Sequence, residues 1–584
     1  MTSELGGVAD SPLPAGPGTG PGTGRAADPD SLTSEALVNC LVREVSMPER
    51  QVWPHGPFLL VRLARAGRLL RVRQRRQSAG VSPRLTGDVA ELRHGSWQPV
   101  GWDCLAALIA EELSLSTGNE NDEFAAQVVA SHAAITAVTK APGGQARRPG
   151  PGKAPWLGEG DLLTRYLASE QALIAGHRFH PAPKARQGRP QEWLRYAPEA
   201  GAVFPLRFLA VRADAVTQEG GVAALDRLGP AVPDGFRLLP AHPWQLSMLE
   251  ALPAFRSAMA SGLLRDLGPG SRHVVPTSSV RTVYDPGADL FCKFSLDVRI
   301  TNCVRKIAWY ELAGAVTLTG LLGPVFAEIA AHFPGTVLLG EPGYRTASLA
   351  DRRCFEGLAV IVRDGLRAHL RPGVTPLLAA ALTEPHATLF DGRGKAWLMS
   401  WWEAYLRQVA PPALHAYLAY GVVLEPHLQN VLIGVDDAGK PVQVIFRDLE
   451  GVKLLAEHHA AALAALPARV AESLAYDAER GWNRVVYCLV VNHLAELAAA
   501  IADRHAGLES DLWRCARSVL DRYGRGHGRP APLRALLAGV PLPAKANLRT
   551  RWARAADRYA TYVDVPNPLG AVEHAPMFTA PCAS

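Results

Sequence analysis

The spacing of hydrophobic and polar residues changes several times along the chain and predicts a mixture of helices and strands. From Thr33 the apolar positions recur with a helical period, and residues 103–115 follow that period again. Between them, residues 58–73 mix apolar and basic side chains in a pattern typical of strands. The elements predicted in the middle of the chain are strands at 204–211 and 291–300 and a helix at 307–320.

The last third of the chain opens with a Trp-rich pattern that predicts a helix over residues 396–408. Short strands are predicted at 430–435 and 442–446, with a turn at 436–439 between them, and Ala/Leu-rich helices from 457 to 504. No internal repeat is visible. The chain is therefore predicted to be an α+β protein, and its 584 residues exceed one compact core, so we expect two or three packed subdomains.

Two segments rich in Gly and Pro interrupt the periodic pattern. Residues 1–32 have no apolar period, which predicts a disordered tail. The sequence APGGQARRPGPGKAP at 141–155 predicts a mobile surface loop, and a loop of this kind can also cover a site.

Composition narrows the class of protein. Hydrophobic residues make up 48% and charged residues 20%, and 61 basic against 55 acidic residues give a net charge of +6. This weak excess suits an anionic ligand but lacks the basic stripe of a nucleic-acid-binding protein. The eight cysteines form no C-x-x-C pair, which predicts reduced thiols, and neither a secretory signal nor a spanning segment is visible. We expect a soluble, cytoplasmic protein.

The sequences EPHLQN at 425–430 and RDLEG at 447–451 stand at the two ends of the predicted hairpin. The hairpin brings Asn430 and Asp448 to neighbouring positions, and Glu425 is a third oxygen donor nearby. Carboxylate and amide oxygens suit Mg²⁺ held on a nucleotide triphosphate, and protein kinases place an Asn and an Asp in this way. In the alternative interpretation, Asn430 caps a turn and Asp448 pairs with a surface base.

Three cations, Arg281, Lys293 and Arg305, lie in a stretch that is otherwise rich in apolar and hydroxyl side chains. A Lys on a core strand is costly unless it meets an anion, and the Arg fork matches carboxylate or phosphate. Ordinary surface ion pairs are the alternative for each cation alone. Together they favour an anion site, to which hydroxyl donors are added by Ser278, Ser279 and Thr282.

A third basic segment, GHRFHPAPKARQG at 176–188, follows a helix that is predicted to end at Gly176. Phosphate contact by His177 and Lys184 is one interpretation, and a rigid Pro-rich connection with solvated bases is the other. Zinc is rejected because no cysteine or carboxylate stands at ligand spacing from the two histidines of the segment.

Two further segments favour structural roles. AHPWQ at 241–245 is rigid and aromatic, which indicates packing. LPAKANLRTRW at 542–552 places Lys545 and Arg549 four residues apart, on one face if the segment is helical, and a solvated face is the default for such a pair.

Taken together, these segments resemble the IucA/IucC family of siderophore synthetases, which work without a peptide-synthetase template. The similarity extends from about Thr33 to Pro568, and LPAKANLRTR and VPNPL also fit. The run at 300–312 together with EPHLQN resembles the subgroup that acts on free citrate. The motifs, in chain order, are GHRFHPAPKARQG, AHPWQ, PTSSVRT, the K-x-S-x(5)-T-N-x(2)-R run that ends at Arg305, EPHLQN and RDLEG.

The resemblance implies a fold likened to a cupped hand with three subdomains. Residues 33–175 would form the thumb, 176–390 the fingers with the nucleotide-phosphate and acid site, and 391–584 a kinase-like palm with the metal site, after the tail at 1–32. It also implies ATP and Mg²⁺ as cofactors. A carboxylate would attack the α-phosphate to give an acyl-adenylate and pyrophosphate, and an amine or alcohol would then displace AMP.

The resemblance also implies roles for individual residues. Catalysis would rest on Arg305, His427 and Lys293. The nucleotide would be contacted by Ser279, Arg281, Thr282, Lys293, Arg305, His177 and Lys184, with Gln429 nearby. The acid would be held by Thr301, Asn302, Arg305, His427 and Lys545. The metal would be held by Glu425, Asn430 and Asp448.

Three alternatives stay open. A kinase-like phosphotransferase would release ADP and would want an Asp where the loop has His427 and Gln429. A synthetase of the citrate-monoamide or 2-oxoglutarate subgroup shares the motifs. A non-enzymatic iron-siderophore or reductase protein would carry a C-terminal cysteine cluster, whereas only Cys582 stands in the final segment. We expect small-molecule substrates, a homodimer, and neither nucleic acid nor membrane as partner. Diamines, hydroxylated diamines and amino acids all fit as the nucleophile.

Overall fold

A computed structural model describes residues 28–570 apart from 79–80, 142–161, 187, 189, 301–302, 506 and 557–558. Residues 303–305 are described as backbone only. Most of the predicted tail and nearly all of the predicted loop at 141–155 lie outside the described residues. The tail prediction is wrong at its end, because a helix begins at Pro29, where Asp28 accepts a hydrogen bond from the Ser31 amide and the proline suits the first helical position.

The N-terminal region packs three helices on one face of a sheet. Its helices are Pro29–Leu41, which a π-helical turn Val42–Ser46 extends, Trp102–Thr117 and Asp122–Lys140. The sheet is an antiparallel meander of β1 (Val52–His55), β2 (Phe58–Leu63), β3 (Arg68–Arg76), β4 (Arg84–Arg93) and β5 (Ser96–Pro99). Leu59, Val61 and Leu63 alternate into the core, which Leu548 and Trp552 complete from the far end of the chain.

The middle region is an eight-stranded antiparallel sheet with short helices Pro243–Leu249, Pro253–Ala260 and Arg352–Gly357. Helices Leu162–Glu170 and Pro190–Trp193 precede it. The strands are β6 (Phe204–Arg212), β7 (Val216–Gly220), β8 (Phe236–Ala241), β9 (Leu264–Pro276), β10 (Thr282–Asp285), β11 (Leu290–Phe294), β15 (Gly343–Ala347) and β16 (Val360–Asp364), in the order β7-β15-β16-β11-β10-β9-β6-β8.

The strand predicted at 291–300 is divided at Ser295. The Ser295 hydroxyl accepts a hydrogen bond of 2.9 Å from the Ile307 amide, and the chain leaves the large sheet at this point. It continues as a separate hairpin of β12 (Leu296–Ile300) and β13 (Cys303–Arg305). A side chain that ties a loop to the chain therefore ends the strand earlier than the apolar pattern predicts.

The third region is built on a four-stranded sheet in the order β14-β20-β19-β17. Its strands are β14 (Thr336–Leu338), β17 (Thr375–Leu378), β19 (Val431–Val435) and β20 (Pro441–Phe446), and β14 runs parallel to β20. β14 and β17 precede the predicted boundary at 390 and pair with strands beyond it. The division into thumb, fingers and palm stays a prediction.

Helices cover this sheet and supply the largest hydrophobic core. The long ones are Trp309–His332, Lys395–Tyr420, Ala478–Ala502 and Glu509–Gly526. The shorter elements are helices Ala460–Ala464, Ala468–Leu474, Ala531–Leu537 and Asn547–Trp552, with strands β18 (Val422–Val423), β21 (Lys453–Leu455), β22 (Ala475–Tyr476), β23 (Leu542–Lys545) and β24 (Tyr562–Val565).

Two helices differ in length from their predictions for visible reasons. Lys395–Tyr420 extends well past residue 408, continues through Pro411 and Pro412, and ends where Gly421 adopts a left-handed φ of 62°. Ala478–Ala502 begins where Asp477 caps the Arg480 amide and contains a π-helical segment, Tyr487–Leu494. Breaks at 465–467 and 475–477 divide the helical stretch predicted from 457 into three helices.

Two of the described helices, Trp309–His332 and Ala478–Ala502, are long and apolar enough to cross a membrane by length and composition. The apolar 18-residue stretch of the second is completely buried within the protein, as in a core helix. Length and composition at two helices are weak evidence for a membrane span.

Candidate active site

A cluster of cations and carboxylates joins the large sheet to the four-stranded sheet. Lys293 stands on β11 and is only 1% exposed. Its Nζ atom donates to Asp448 Oδ1 at 2.6 Å and lies 3.0 Å from a Glu450 oxygen, and both carboxylates follow β20. Burial alone would lower the pKa of Lys293, but Asp448, Glu341 and Glu450 together raise it, so the ammonium stays charged.

Two arginines complete the cluster. Arg363, on the neighbouring strand β16, donates to Glu341 at 2.6 Å and lies 3.3 Å from Asp448 Oδ1. Arg281 donates to the Glu450 carboxylate. Glu341 is fully buried and contacts Lys293 and Arg363, whereas the side chains of Asp448 and Glu450 remain 24% and 30% exposed. The solvent-facing ends of the cluster are therefore carboxylates, backed by three buried cations.

The backbone around Asp448 is held in an unusual conformation. Asp448 has a φ of +77°, a backbone conformation that a residue other than Gly adopts at an energetic cost. Such strain is concentrated at functional sites. The cations Lys293, Arg363 and Arg281 hold its pKa well below the usual range against the effect of burial. Arg281 and Lys293 likewise lower the pKa of Glu450 to about 2 against the effect of burial. Both groups are carboxylates at neutral pH.

The loop that contains EPHLQN is fixed to this cluster through Arg447. The Arg447 guanidinium donates to the Gln429 carbonyl at 2.8 Å and to the fully buried Glu170. The Arg447 amide donates to the Asn430 carbonyl at 3.1 Å, so Asn430 and Asp448 are neighbours, as the hairpin predicts. Glu170 also accepts from the Ser278 amide at 2.9 Å and ties the PTSSVRT turn to the same point.

The turn at PTSSVRT presents its hydroxyl residues beside the cations. The Ser279 carbonyl accepts from the Thr282 amide at 2.6 Å, and Thr282 pairs with Lys293 across β10 and β11. Thr282 is nearly fully buried, whereas Ser279 is half-buried. These positions are compatible with phosphate contact, which stays a prediction for both residues.

The charges of Asp448 and Lys545 both act on the pKa of His427. Burial lowers the pKa of His427 although Glu425 and Asp448 act in the opposite direction, so the ring is neutral at physiological pH. The preceding carbonyl, that of Pro426, accepts a hydrogen bond of 2.7 Å from His493 Nδ1 in the π-helical segment. The other ring nitrogen of His493 contacts the Tyr405 hydroxyl. The buried His493 therefore sets the position of the loop.

The three residues predicted to bind metal have different surroundings. Asn430 is buried and Asp448 faces the cations. Glu425 instead lies 3.0 Å from Arg484 and packs so closely against Gly451 that a Cβ there would meet its carboxylate. Among the described residues, no three His, Cys, Asp or Glu are grouped so that they could hold a metal by themselves. Glu450 is a carboxylate beside the site that the sequence reasoning did not assign.

The basic segment at 176–188 has two kinds of environment. His177 is exposed to solvent, and its pKa is lowered to about 4 by the desolvating protein around it, with Arg43, His427 and Lys545 contributing against Glu496. Lys184 is turned inward, where it donates to the Leu173 carbonyl at 2.5 Å and to Glu199 at 3.0 Å. A nucleotide contact by Lys184 therefore requires this pairing to change.

The remaining predicted residues are unequally described. Lys545 is buried at the end of β23, and the helix that follows begins only at Asn547, so the expectation of one helical face for Lys545 and Arg549 is wrong. Arg305 ends β13, and its side chain lies outside the described part of the chain, as do Thr301 and Asn302. AHPWQ packs as predicted, with His242 capping its helix and Gln245 accepting from the Asp297 amide at 2.7 Å.

Sequence reasoning did not identify Glu341, Arg363, Glu170 and Glu450 as part of the site. Glu450 and Arg447 stand inside RDLEG, so the motif itself carried that signal. Glu341, Arg363 and Glu170 lie in segments without a motif. The pairing of β15 and β16 with β11 brings Glu341 and Arg363 to the cluster, and Glu170 reaches it from the end of the helix Leu162–Glu170.

Comparisons with known proteins identify the family of the chain. The family model described as IucA / IucC family matches residues 165–384, and the model described as ferric iron reductase FhuF-like transporter matches residues 399–560. The rhizobactin siderophore biosynthesis protein RhbC of Rhizobium meliloti is 30% identical over 443 residues, which cover 69% of this chain and 75% of the relative. The L-2,3-diaminopropanoate–citrate ligase of Staphylococcus aureus is 30% identical over 438 residues, with the same coverage.

The fold is also that of a solved relative. The ATP-bound aerobactin synthetase IucA of Klebsiella pneumoniae superposes with a TM-score of 0.81 at 25% identity, over 93% of this chain and 100% of the other. The α+β architecture of the chain agrees with this structure. The chain therefore belongs to the IucA/IucC family of siderophore synthetases that work without a peptide-synthetase template.

Proposed function

We propose that this protein uses ATP to adenylate a carboxylate of citrate or a citrate derivative and then joins the acyl group to an amine or alcohol. The observation that supports this most directly is the contact of Lys293 with Asp448, which sets a buried cation from one sheet against a solvent-facing carboxylate from the other. The name of the Staphylococcus aureus relative gives citrate as its acid and an amine as its partner.

The first step brings two anions together, so the negative charges must be screened. Arg281 and Lys293 are buried cations that suit the nucleotide phosphates, with hydroxyls from Ser279 and Thr282 and with His177, Lys184 and Gln429 at the edge. The planar fork of Arg305 can hold the citrate carboxylate and the α-phosphate at once. The attacking carboxylate oxygen bonds to the α-phosphorus while the bond to pyrophosphate breaks.

The donor set beside the cations fits Mg²⁺. Asp448 and Asn430 supply hard oxygen atoms, and Glu450 adds a carboxylate that faces solvent. Glu425 is available only if it leaves Arg484. When bound, the ion would screen the phosphate charges.

Thr301, Asn302, Arg305, His427 and Lys545 would hold the acid. A neutral His427 can accept a proton from the incoming nucleophile or donate a hydrogen bond to a citrate hydroxyl. In the second step the C–N or C–O bond forms, the acyl–oxygen bond to AMP breaks, and the nucleophile loses one proton. The adenylate serves as the good leaving group that a free carboxylate lacks.

Three other functions remain as alternatives. A kinase-like phosphotransferase would use the same cations but would release ADP. A synthetase of the citrate-monoamide or 2-oxoglutarate subgroup would differ only in its acid. The FhuF-like match at 399–560 also leaves the reductase alternative to be tested. We further propose that the enzyme acts in the cytoplasm as a homodimer.

Product analysis separates these functions. Purified protein is incubated with ATP, Mg²⁺ and citrate, with hydroxylamine as a trap, and AMP, ADP, pyrophosphate and hydroxamate are measured. Citrate-dependent AMP, pyrophosphate and hydroxamate are expected. ADP in place of AMP would establish the phosphotransferase, and a panel of citrate monoamides and 2-oxoglutarate identifies the acid. Failure to form an adenylate with any of these acids would refute the synthetase proposal.

A further inference from the structure

A buried arginine and a buried glutamate beside the candidate site have polar atoms without partners. Arg43 is 2% exposed, and its Nε and Nη1 atoms have no hydrogen-bond partner among the described residues. Glu496 is 8% exposed, and its Oε1 atom is likewise without one in that part of the chain. Unmet buried polar atoms are rare and costly, so each requires an explanation.

The loop at 177–179 contacts both side chains. The Arg43 guanidinium lies 3.0 Å from the centre of the Phe179 ring and donates to the Val81 carbonyl at 2.7 Å through its third nitrogen. The adjacent residue, Arg178, lies 3.6 Å from Glu496 Oε2 and is neutralised mainly by Glu35 at 2.5 Å. Consecutive loop residues thus contact the arginine and the glutamate, which do not form an ion pair with each other.

This place borders the proposed acid site. Glu496 follows His493 by three residues on the same helix, so both lie on one face of it. His493 Nδ1 donates to the carbonyl of Pro426, the neighbour of His427. His177, at the start of the loop, is open to solvent. Both Arg43 and Glu496 also stand in or directly after a π-helical segment, a feature frequent at functional sites.

We propose that Arg43 and Glu496 bind the α-amino-acid head of the nucleophile, which makes the second substrate a diamino acid. Arg43 offers free donors that match a carboxylate, and Glu496 offers a free acceptor that matches an ammonium group. An α-amino acid carries both charges on one carbon, and its side-chain amine is left to attack the acyl-adenylate. A neutral amine or a simple diamine would leave the donors of Arg43 unmet. This inference rests on the proposed function.

A matched pair of amines tests the arginine. 2,3-Diaminopropanoate and ethylenediamine differ by one carboxylate. For each enzyme, kcat/KM with either amine is divided by the hydroxylamine-dependent turnover, so that loss of adenylation is not mistaken for loss of amine binding. The wild-type enzyme is expected to prefer the diamino acid by at least about tenfold, and Arg43→Gln is expected to remove this preference, about a 10- to 100-fold loss confined to the diamino acid.

The glutamate gives a different signature. 2,3-Diaminopropanoate and ethylenediamine both carry a second ammonium group. Glu496→Gln is therefore expected to lower the normalised kcat/KM for both about 10- to 100-fold, but not that for ethylamine, which lacks this group. Arg469→Gln, in an exposed pair with Glu472, is the matched control and should behave as wild type. If Arg43→Gln does not fold, Arg43→Lys keeps the charge without the fork and should reduce the preference partly.

The outcomes separate the two proposals. Absence of acid-dependent hydroxamate with citrate and with every other acid of the panel in the wild-type enzyme would refute the proposed function itself. Normal hydroxamate formation with no preference for 2,3-diaminopropanoate or longer diamino acids over the matched diamines would overturn the diamino-acid inference alone. The same conclusion would follow if Arg43→Gln and Arg43→Lys both kept the wild-type preference.

Discussion

Two buried ion clusters each join segments that are far apart in the sequence, yet only one has the character of an active site. In the first, Arg76 and Arg84 from the N-terminal sheet meet Asp503 and Glu509, with Arg76 Nε at 2.8 Å from Asp503. Two cations face two carboxylates, and Asp503 is only 5% exposed. In the second, Lys293, Arg281 and Arg363 face carboxylates that reach solvent.

The two clusters differ in whether their carboxylates are exposed to solvent. The Asp503 cluster is internally satisfied, since Ser78 and the Ala499 carbonyl take up further hydrogen bonds. The Lys293 cluster presents Asp448 and Glu450 to solvent and holds Asp448 in a strained backbone conformation. Burial of charge is thus common to a structural clamp and a site, whereas exposed ends and stored strain distinguish the site.

The largest expected effect comes from the exposed carboxylate. Asp448→Asn and, separately, Asn430→Ala should each abolish citrate-dependent AMP formation, because each removes an oxygen donor proposed for the metal. Neither should unfold the protein, since Asp448 is partly solvated and Asn430 lies just before β19, outside the strand itself. Activity and melting temperature are measured on the same samples. A large fall in melting temperature with normal specific activity would show that these residues are structural.

The next effect concerns the fork of Arg305. Arg305→Lys keeps the charge but cannot hold the citrate carboxylate and the α-phosphate in a fixed geometry. We expect kcat to fall by roughly ten- to a thousandfold, as for a lost preorganised donor. Nucleotide binding should persist because Arg281 and Lys293 remain. Steady-state kinetics beside calorimetry of nucleotide binding measure this, and near-normal turnover would mean that Arg305 supplies only positive charge.

The smallest effect on turnover is expected at the structural clamp. Asp503→Asn leaves Arg84 and Arg76 with a missing charge partner in a buried place, so the free energy of unfolding should fall by about 3–5 kcal/mol. The folded fraction should keep its specific activity. Glu472→Gln, in an exposed pair, is the control and should change stability by less than about 1 kcal/mol. If Asp503→Asn lost turnover while its free energy of unfolding stayed unchanged, the assignment of this cluster to a purely structural role would be wrong.

Local patterns predicted much of the fold. The strands β6, β19 and β20 and the helices Pro29–Leu41 and Trp102–Thr117 lie close to their predicted positions, since each has clear periodicity and end signals. The motif segments PTSSVRT, EPHLQN and RDLEG also converge as the resemblance implies. The errors fall where a tertiary contact overrides the pattern, as at Ser295, or where a long buried helix tolerates proline, as at Pro411.

By itself the sequence determined the family, the class of fold and the residues that carry charge to the site, because these depend on residue type and order. Only the tertiary structure decided which charges meet. It brings Glu341 and Arg363 to Lys293 through sheet pairing and assigns Arg484 to Glu425. Beside the loop at 177–179 it leaves two nitrogen atoms of Arg43 and one oxygen atom of Glu496 without a hydrogen bond among the described residues. Ion pairing and burial depend on distances between segments hundreds of residues apart, and no local pattern records those distances.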